Sequence, residues 1–135
     1  MGIMIYLIQS PGFYVKTSRD IPKSFDDKMT MLMATICEKS GFTLHELKSA
    51  SKKRELVLWR QIAFYIASIH YYGPLYEIGL YFGGRHWATV IHGRQAVKEA
   101  IDVNDYMVIS RIKQLSRFVK VQPSSAKEYI YTNQD

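Results

Sequence analysis

The pair Gly83-Gly84 stands between two apolar runs of helical period and constrains the fold more than any other feature of the chain. Upstream, Leu75, Ile78 and Phe82 recur at the interval of one helix face, and downstream Val90, Val97 and Ile101 do the same. A turn this short must redirect the backbone within two residues, so Gly83 or Gly84 is expected to take a conformation other residues resist. Pro74 suits the first turn of the upstream helix, where its missing N–H is not needed. The order is therefore a short helix, a tight turn and a longer helix, the last predicted from Arg85 to Ile101.

Helical spacing continues on both sides. Ser24 precedes Asp27 by three residues and opens a stretch with Met29, Leu32, Met33, Ile36 and Cys37 on one face, which Gly41 stops. Thr43-Leu44-His45-Glu46 repeats the capping pattern over a short turn of helix, and Ser51 is predicted to cap the longest helix. That helix is predicted to turn Leu58, Ile62, Tyr65, Ile66 and Ile69 inward and to end at Tyr72-Gly73. Asn104 or Asp105 then caps a last helix bearing Val108, Ile112, Leu115 and Val119. The fold class is all-α. Before these helices, the run from Ile3 to Ile8, the turn Ser10-Pro11-Gly12 and Phe13-Tyr14-Val15 read as a short β-hairpin. The domain organisation expected is an N-terminal extension over 1–22, a helical domain over 23–120 and a mobile polar tail over 121–135.

A chain of 135 residues, 47% hydrophobic, supports one core rather than two. Eighteen Lys and Arg against twelve Asp and Glu give a formal charge of +6, which favours polyanionic partners. The lone Cys37 cannot form an internal disulfide, and the N-terminal apolar run is far short of the roughly 20 residues a membrane span needs. Neither secretion nor membrane insertion is indicated, and a cytoplasmic location is expected. His45, His70, His86 and His92 lack the spacing of metal ligands, so no metal or other cofactor is expected. The acidic residues fall near helix ends, no catalytic constellation stands out, and an enzyme is not expected. The ten tyrosines read as core or interface residues in preference to single-strand stacking platforms.

Helix, glycine turn and longer helix form the helix-turn-helix pattern, whose second helix can enter the major groove of DNA. On that helix Arg85, Ala88, Thr89 and His92 lie opposite Val90, Val97 and Ile101. Arg94 falls on the apolar side and is expected to snorkel or to meet a carboxylate such as Glu77. A second basic feature runs through Lys48, Lys52, Lys53, Arg54 and Arg60, interrupted by Glu55. Cations at a helix start suit phosphate contact, although such a run taken alone is equally a solvated face.

Together these stretches resemble the C-terminal domain of the replication initiator DnaA, from about Met31 to about Val119. The motifs are Leu47-Lys48-Ser49, the basic loop, Arg60-Gln61-Ile62-Ala63, Glu77-Ile78-Gly79, Phe82-Gly83-Gly84-Arg85 and Thr89-Val90-Ile91-His92. The resemblance implies a basic loop in the minor groove and a recognition helix in the major groove of an origin repeat. Lys52 and Arg54 would then contact the minor groove or backbone, and Lys53 between them is a further candidate DNA contact. Arg60 and Gln61 would hold phosphates, and Arg85, Thr89 and His92 would lie at the DNA surface. The family's usual Arg-Asp-His-Thr-Thr is here Arg85-His86-Trp87-Ala88-Thr89. His86 and Trp87 become the local candidates for base or phosphate contact, and the family's hydrogen-bonding code cannot be kept.

No Gly-x-x-x-x-Gly-Lys-Ser/Thr loop occurs, so a free-standing DNA-reading module without an ATPase is expected. The expected partner is double-stranded DNA, in replication initiation or its control, as in a phage or other mobile element. Rivals are a transcriptional regulator using the same module and an interaction or structural module that lost base reading. In the last case the N-terminal segment would be an edge for a protein partner or self-association.

Overall fold

The computed structural model describes residues 24–119, all of whose regular structure is helical. The expected hairpin and the expected tail lie outside the described residues, as do the domain boundaries drawn before 23 and after 120.

Six helices follow one another: α1 Phe25–Ser40, α2 Leu44–Lys48, α3 Arg54–Ile69, α4 Leu75–Tyr81, α5 Trp87–Asp102 and α6 Tyr106–Lys113. Local chemistry sets most of their ends. The Asp27 backbone N–H donates to Ser24 Oγ at 3.1 Å, and Gly41 closes α1 by donating to the Cys37 carbonyl. At α2 the Glu46 N–H donates to Thr43 Oγ1 at 3.1 Å while Glu46 Oε1 accepts from the Thr43 N–H at 2.9 Å, a complete capping box. Asp105, rather than Asn104, caps α6 by accepting from the Met107 and Val108 amides.

The Thr43 N–H holds the exposed Glu46 carboxylate below its ordinary range. A carboxyl whose folded pKa is depressed adds stability above its unfolded value, and that stability is lost as pH falls through the folded one. The melting temperature is therefore expected to decline in that acid range and to decline less in Glu46→Gln. Parallel thermal scans of the two proteins across pH check this, and indistinguishable profiles would contradict it.

Helix α3 is the centre of the domain and touches each of the other five helices. Leu56, Trp59, Ile62, Ala63, Phe64, Ile66 and Ala67 are all buried, so its apolar stripe is far wider than a surface helix needs. Ile62 and Ile66 point inward as expected, and Leu58 and Tyr65 are half-buried. Ile69 is 42% exposed, because it ends the helix and the chain then turns away through Tyr71 at φ 54°. Helix α5 crosses α3 at close range. A Cβ added at Gly93 would stand 2.6 Å from Phe64 Cδ2, so only a residue without a side chain permits that approach.

The rest of the core follows the apolar period. Met29, Leu32, Met33 and Ile36 of α1, Ile78 and Phe82 around α4, Val90 and Val97 of α5, and Val108, Ile112 and Leu115 near α6 are buried. Arg94 is half-buried. Among the described residues the ion pairs are Lys98–Asp102 and Arg111–Glu55, so Arg94 is not joined to Glu77.

Candidate nucleic-acid interface

The segment between α2 and α3 is bonded through its serines. Ser49 Oγ donates to the Glu46 carbonyl at 2.7 Å and accepts from the Ser51 N–H at 3.2 Å, and Ser51 Oγ accepts from the Lys53 N–H at 3.3 Å. Ser51 therefore does not cap α3 as expected. Lys53 occupies the cap position, with no side-chain bond to the first turn. Lys52, Lys53 and Arg54 are exposed around this helix start, where unpartnered amides and cations together favour an anion. The acid within the run is neutralised from another helix: Arg111 of α6 meets Glu55 Oε2 at 2.8 Å.

Arg60 and Arg85 are placed differently from the solvent-facing positions the sequence suggested. Arg60 is 5% exposed. Its Nε donates to the Leu47 carbonyl at 2.7 Å, and its two terminal nitrogens donate to Ser51 and Ser49 carbonyls at 3.2 Å each. Arg85 is half-buried and also binds backbone. Its Nη2 donates to the Ser49 carbonyl at 2.6 Å, and its Nη1 to the carbonyls of Lys48 at 3.3 Å and of Phe82. Burial lowers both guanidinium pKa values, and the neighbouring Arg85 charge adds to the effect on Arg60. Their reach across the fold was not visible in sequence, because every carbonyl on the basic loop lies at least nine residues away.

Arg85 also precedes α5 instead of starting it. Its N–H donates to the Gly79 carbonyl at 2.8 Å, closing the turn, and α5 begins at Trp87. His86 is the cap residue, with Nδ1 accepting from the Ala88 N–H at 3.0 Å. With Nδ1 accepting, Nε2 is the ring nitrogen that can donate. Trp87 is 48% exposed and lies beside His86, with ring centroids 5.2 Å apart. Thr89 and His92 are exposed, Ala88 is half-buried, and Val90, Gly93 and Val97 form the buried side.

A shallow groove between α3 and α5 brings Gln61, Thr89 and His92 together over Arg60 and Arg85. Gln61 also borders a second depression with Lys52, Arg54 and Met107. Through Gln61 the basic loop and the exposed face of α5 thus join into one surface. The contribution of Met107 went unseen in sequence, since it depends on how α6 docks against α3. Gly93 did leave a signal, a glycine in the middle of an amphipathic helix.

Gly83 and Gly84 both have φ of 80°, which fulfils the expectation for this turn. They differ in surroundings: a Cβ at Gly83 would meet the Lys48 carbonyl oxygen at 2.8 Å, whereas Gly84 faces open space. Gly84→Val is expected to cost about 1–3 kcal/mol from backbone strain alone, and Gly83→Val more. Urea titrations of both variants measure this, and equal losses would mean that the Lys48 contact imposes nothing.

Short helix α4, the glycine turn and helix α5 with an exposed polar face beside a cationic loop define a DNA-binding helix-turn-helix domain. The family model described as the bacterial dnaA protein helix-turn-helix matches residues 29–97, about half of the chain, and the chain belongs to that family. It is 34% identical over 91 residues to the chromosomal replication initiator protein DnaA of Chlorobaculum tepidum, covering 66% of this chain and 18% of that protein. It is 30% identical over 89 residues to the protein of the same name from Oenococcus oeni, covering 66% and 20%. With that of Thermomicrobium roseum it shares 37% over 71 residues, covering 53% and 15%. The chain thus spans about a fifth or less of the curated relatives it matches. No solved structure matches. Among the described residues no helix is long and apolar enough to cross a membrane, and no cluster of ligating side chains could hold a metal ion.

Proposed function

We propose that this chain binds double-stranded DNA in a sequence-specific manner and serves replication initiation or its regulation. The observation that carries this reading is the continuous surface of Lys52, Arg54, Gln61, Thr89 and His92, in which loop cations adjoin the exposed face of a recognition helix. Similarity to proteins named chromosomal replication initiator supports the process. Lys52, Lys53 and Arg54 supply phosphate or minor-groove contacts, Gln61 holds a phosphate, and Thr89 and His92 meet base edges. His86 and Trp87 sit at the start of α5, where a ring N–H donor and an apolar indole suit a base acceptor and a thymine methyl. Arg60 and Arg85 belong to the site from beneath.

Selection from a random duplex library at near-physiological salt tests sequence reading directly: an enriched motif supports it, and none favours an interaction module. Thr89→Ala with His92→Ala is then expected to lower affinity for the selected site by about 1–3 kcal/mol per lost base contact while sparing random duplex. Lys52→Ala with Arg54→Ala should weaken both and reduce the log–log salt slope by roughly one unit per lost phosphate contact. If the α5 variant weakens both duplexes equally, Thr89 and His92 contact phosphate and base reading lies elsewhere.

A further inference from the structure

Two cationic side chains and the main chain of the basic loop form an arrangement with no acidic member. Arg60 and Arg85 together bind the carbonyls of Leu47, Lys48, Ser49 and Ser51, and both donate to Ser49. Neither guanidinium forms an ion pair among the described residues. Arg85 further holds Phe82, at the end of α4, and lies two residues before the first residue of α5. The Lys48 ammonium stands 3.9 Å from the Tyr81 ring centroid, and the Lys48 carbonyl approaches Gly83 so closely that no side chain fits between them. The end of α2 is thus fastened to the helix-turn-helix turn at three points.

We propose that Arg85, with Arg60, is a positioning residue for DNA binding, clamping the carbonyls of Leu47, Lys48, Ser49 and Ser51 so that the basic loop and α5 face a duplex at one fixed spacing. This rests on the duplex-binding reading above. The clamp turns inward the acceptors that would repel phosphate, leaving Lys52, Lys53 and Arg54 on the outer surface. It also fixes the loop before DNA arrives, so the cost of ordering it is met in the free protein. A planar fork is needed, because one guanidinium must reach carbonyls of the loop and of the turn in a set geometry that an ammonium cannot reproduce.

The test compares wild type, Arg85→Gln and Arg85→Lys in two measurements. In the free proteins, amide hydrogen exchange followed by NMR is expected to accelerate by roughly tenfold or more at Ser51 and Lys53 in both variants, while interior amides of α3 keep wild-type rates. With a short random-sequence duplex, the affinity lost on Lys52→Ala with Arg54→Ala should shrink at least several-fold when Arg85 is already replaced, since coupled groups are not additive. Unchanged exchange at Ser51 and Lys53 overturns the proposal. So does uniform acceleration across the domain, which would make Arg85 a general stability residue, or full rescue by Arg85→Lys, which would make charge sufficient. Additive losses on the duplex overturn the link to binding. If wild type binds no duplex, the functional reading fails while exchange still decides whether the clamp orders the loop.

Discussion

Gly79→Ala is expected to destabilise the domain by more than about 3 kcal/mol, well above the usual cost of a single added methyl in a packed site. Elsewhere in a helix the same change commonly stabilises by about 0.5–1 kcal/mol, so the sign itself is diagnostic. At Gly79 a Cβ would lie 2.1 Å from the Arg85 carbonyl oxygen. That oxygen is main chain, held within the glycine turn, and cannot swing aside as a side chain would. The Gly79 carbonyl accepts from both the Arg85 and Phe82 amides, so relieving the clash disturbs the bonds that close the turn. Equilibrium denaturation with an unchanged m-value gives the measurement. A loss below about 1 kcal/mol would show that the turn yields easily.

Phe82→Ala is expected to cost about 3–5 kcal/mol, the range for emptying a large aromatic site in a core. Phe82 is fully buried, edge-on to Phe64 at 5.0 Å between centroids and to Tyr81 at 5.2 Å. It therefore connects α3, the central helix, with the turn that aims α5. Phe82→Leu should cost markedly less, since most of the volume remains. Calorimetric or denaturant melting of the two variants separates the cases, and equal losses would point to the aromatic contacts rather than to the cavity.

What could be read from the sequence was what local chemistry decides. Ser24, the Thr43/Glu46 pair, Asp105 and the two turn glycines act within a few residues of themselves, and each does in the fold what its neighbours implied. Periodicity likewise placed Ile62, Ile66, Val90 and Val97 inside. Where tertiary contacts decide, local reading gave a different answer. Ser51 reads as a helix cap but supports the loop, and Ile69 continues the apolar period but ends its helix exposed. Arg85 reads as the first residue of the recognition helix, because charge and position on a helical wheel say nothing about a carbonyl waiting beside Ser49. The candidate surface divided in the same way. Lys52, Lys53, Arg54, Thr89 and His92 are exposed, as surface polar residues tend to be. Arg60 and Arg85 lie beneath them, since each guanidinium makes three hydrogen bonds to backbone carbonyls.

The bond from Arg85 to Ser49 joins residues 36 apart in the chain. Contacts of such separation form late, because the intervening chain must first lose the entropy of closing a long loop. Helix α3, α4 and the glycine turn lie within that interval and mature from nearer neighbours. During synthesis the loop at 49–53 and Arg60, which binds it from 9 and 11 residues away, leave the ribosome well before Arg85, so the tie between the loop and the glycine turn is expected to be the later of its two fastenings.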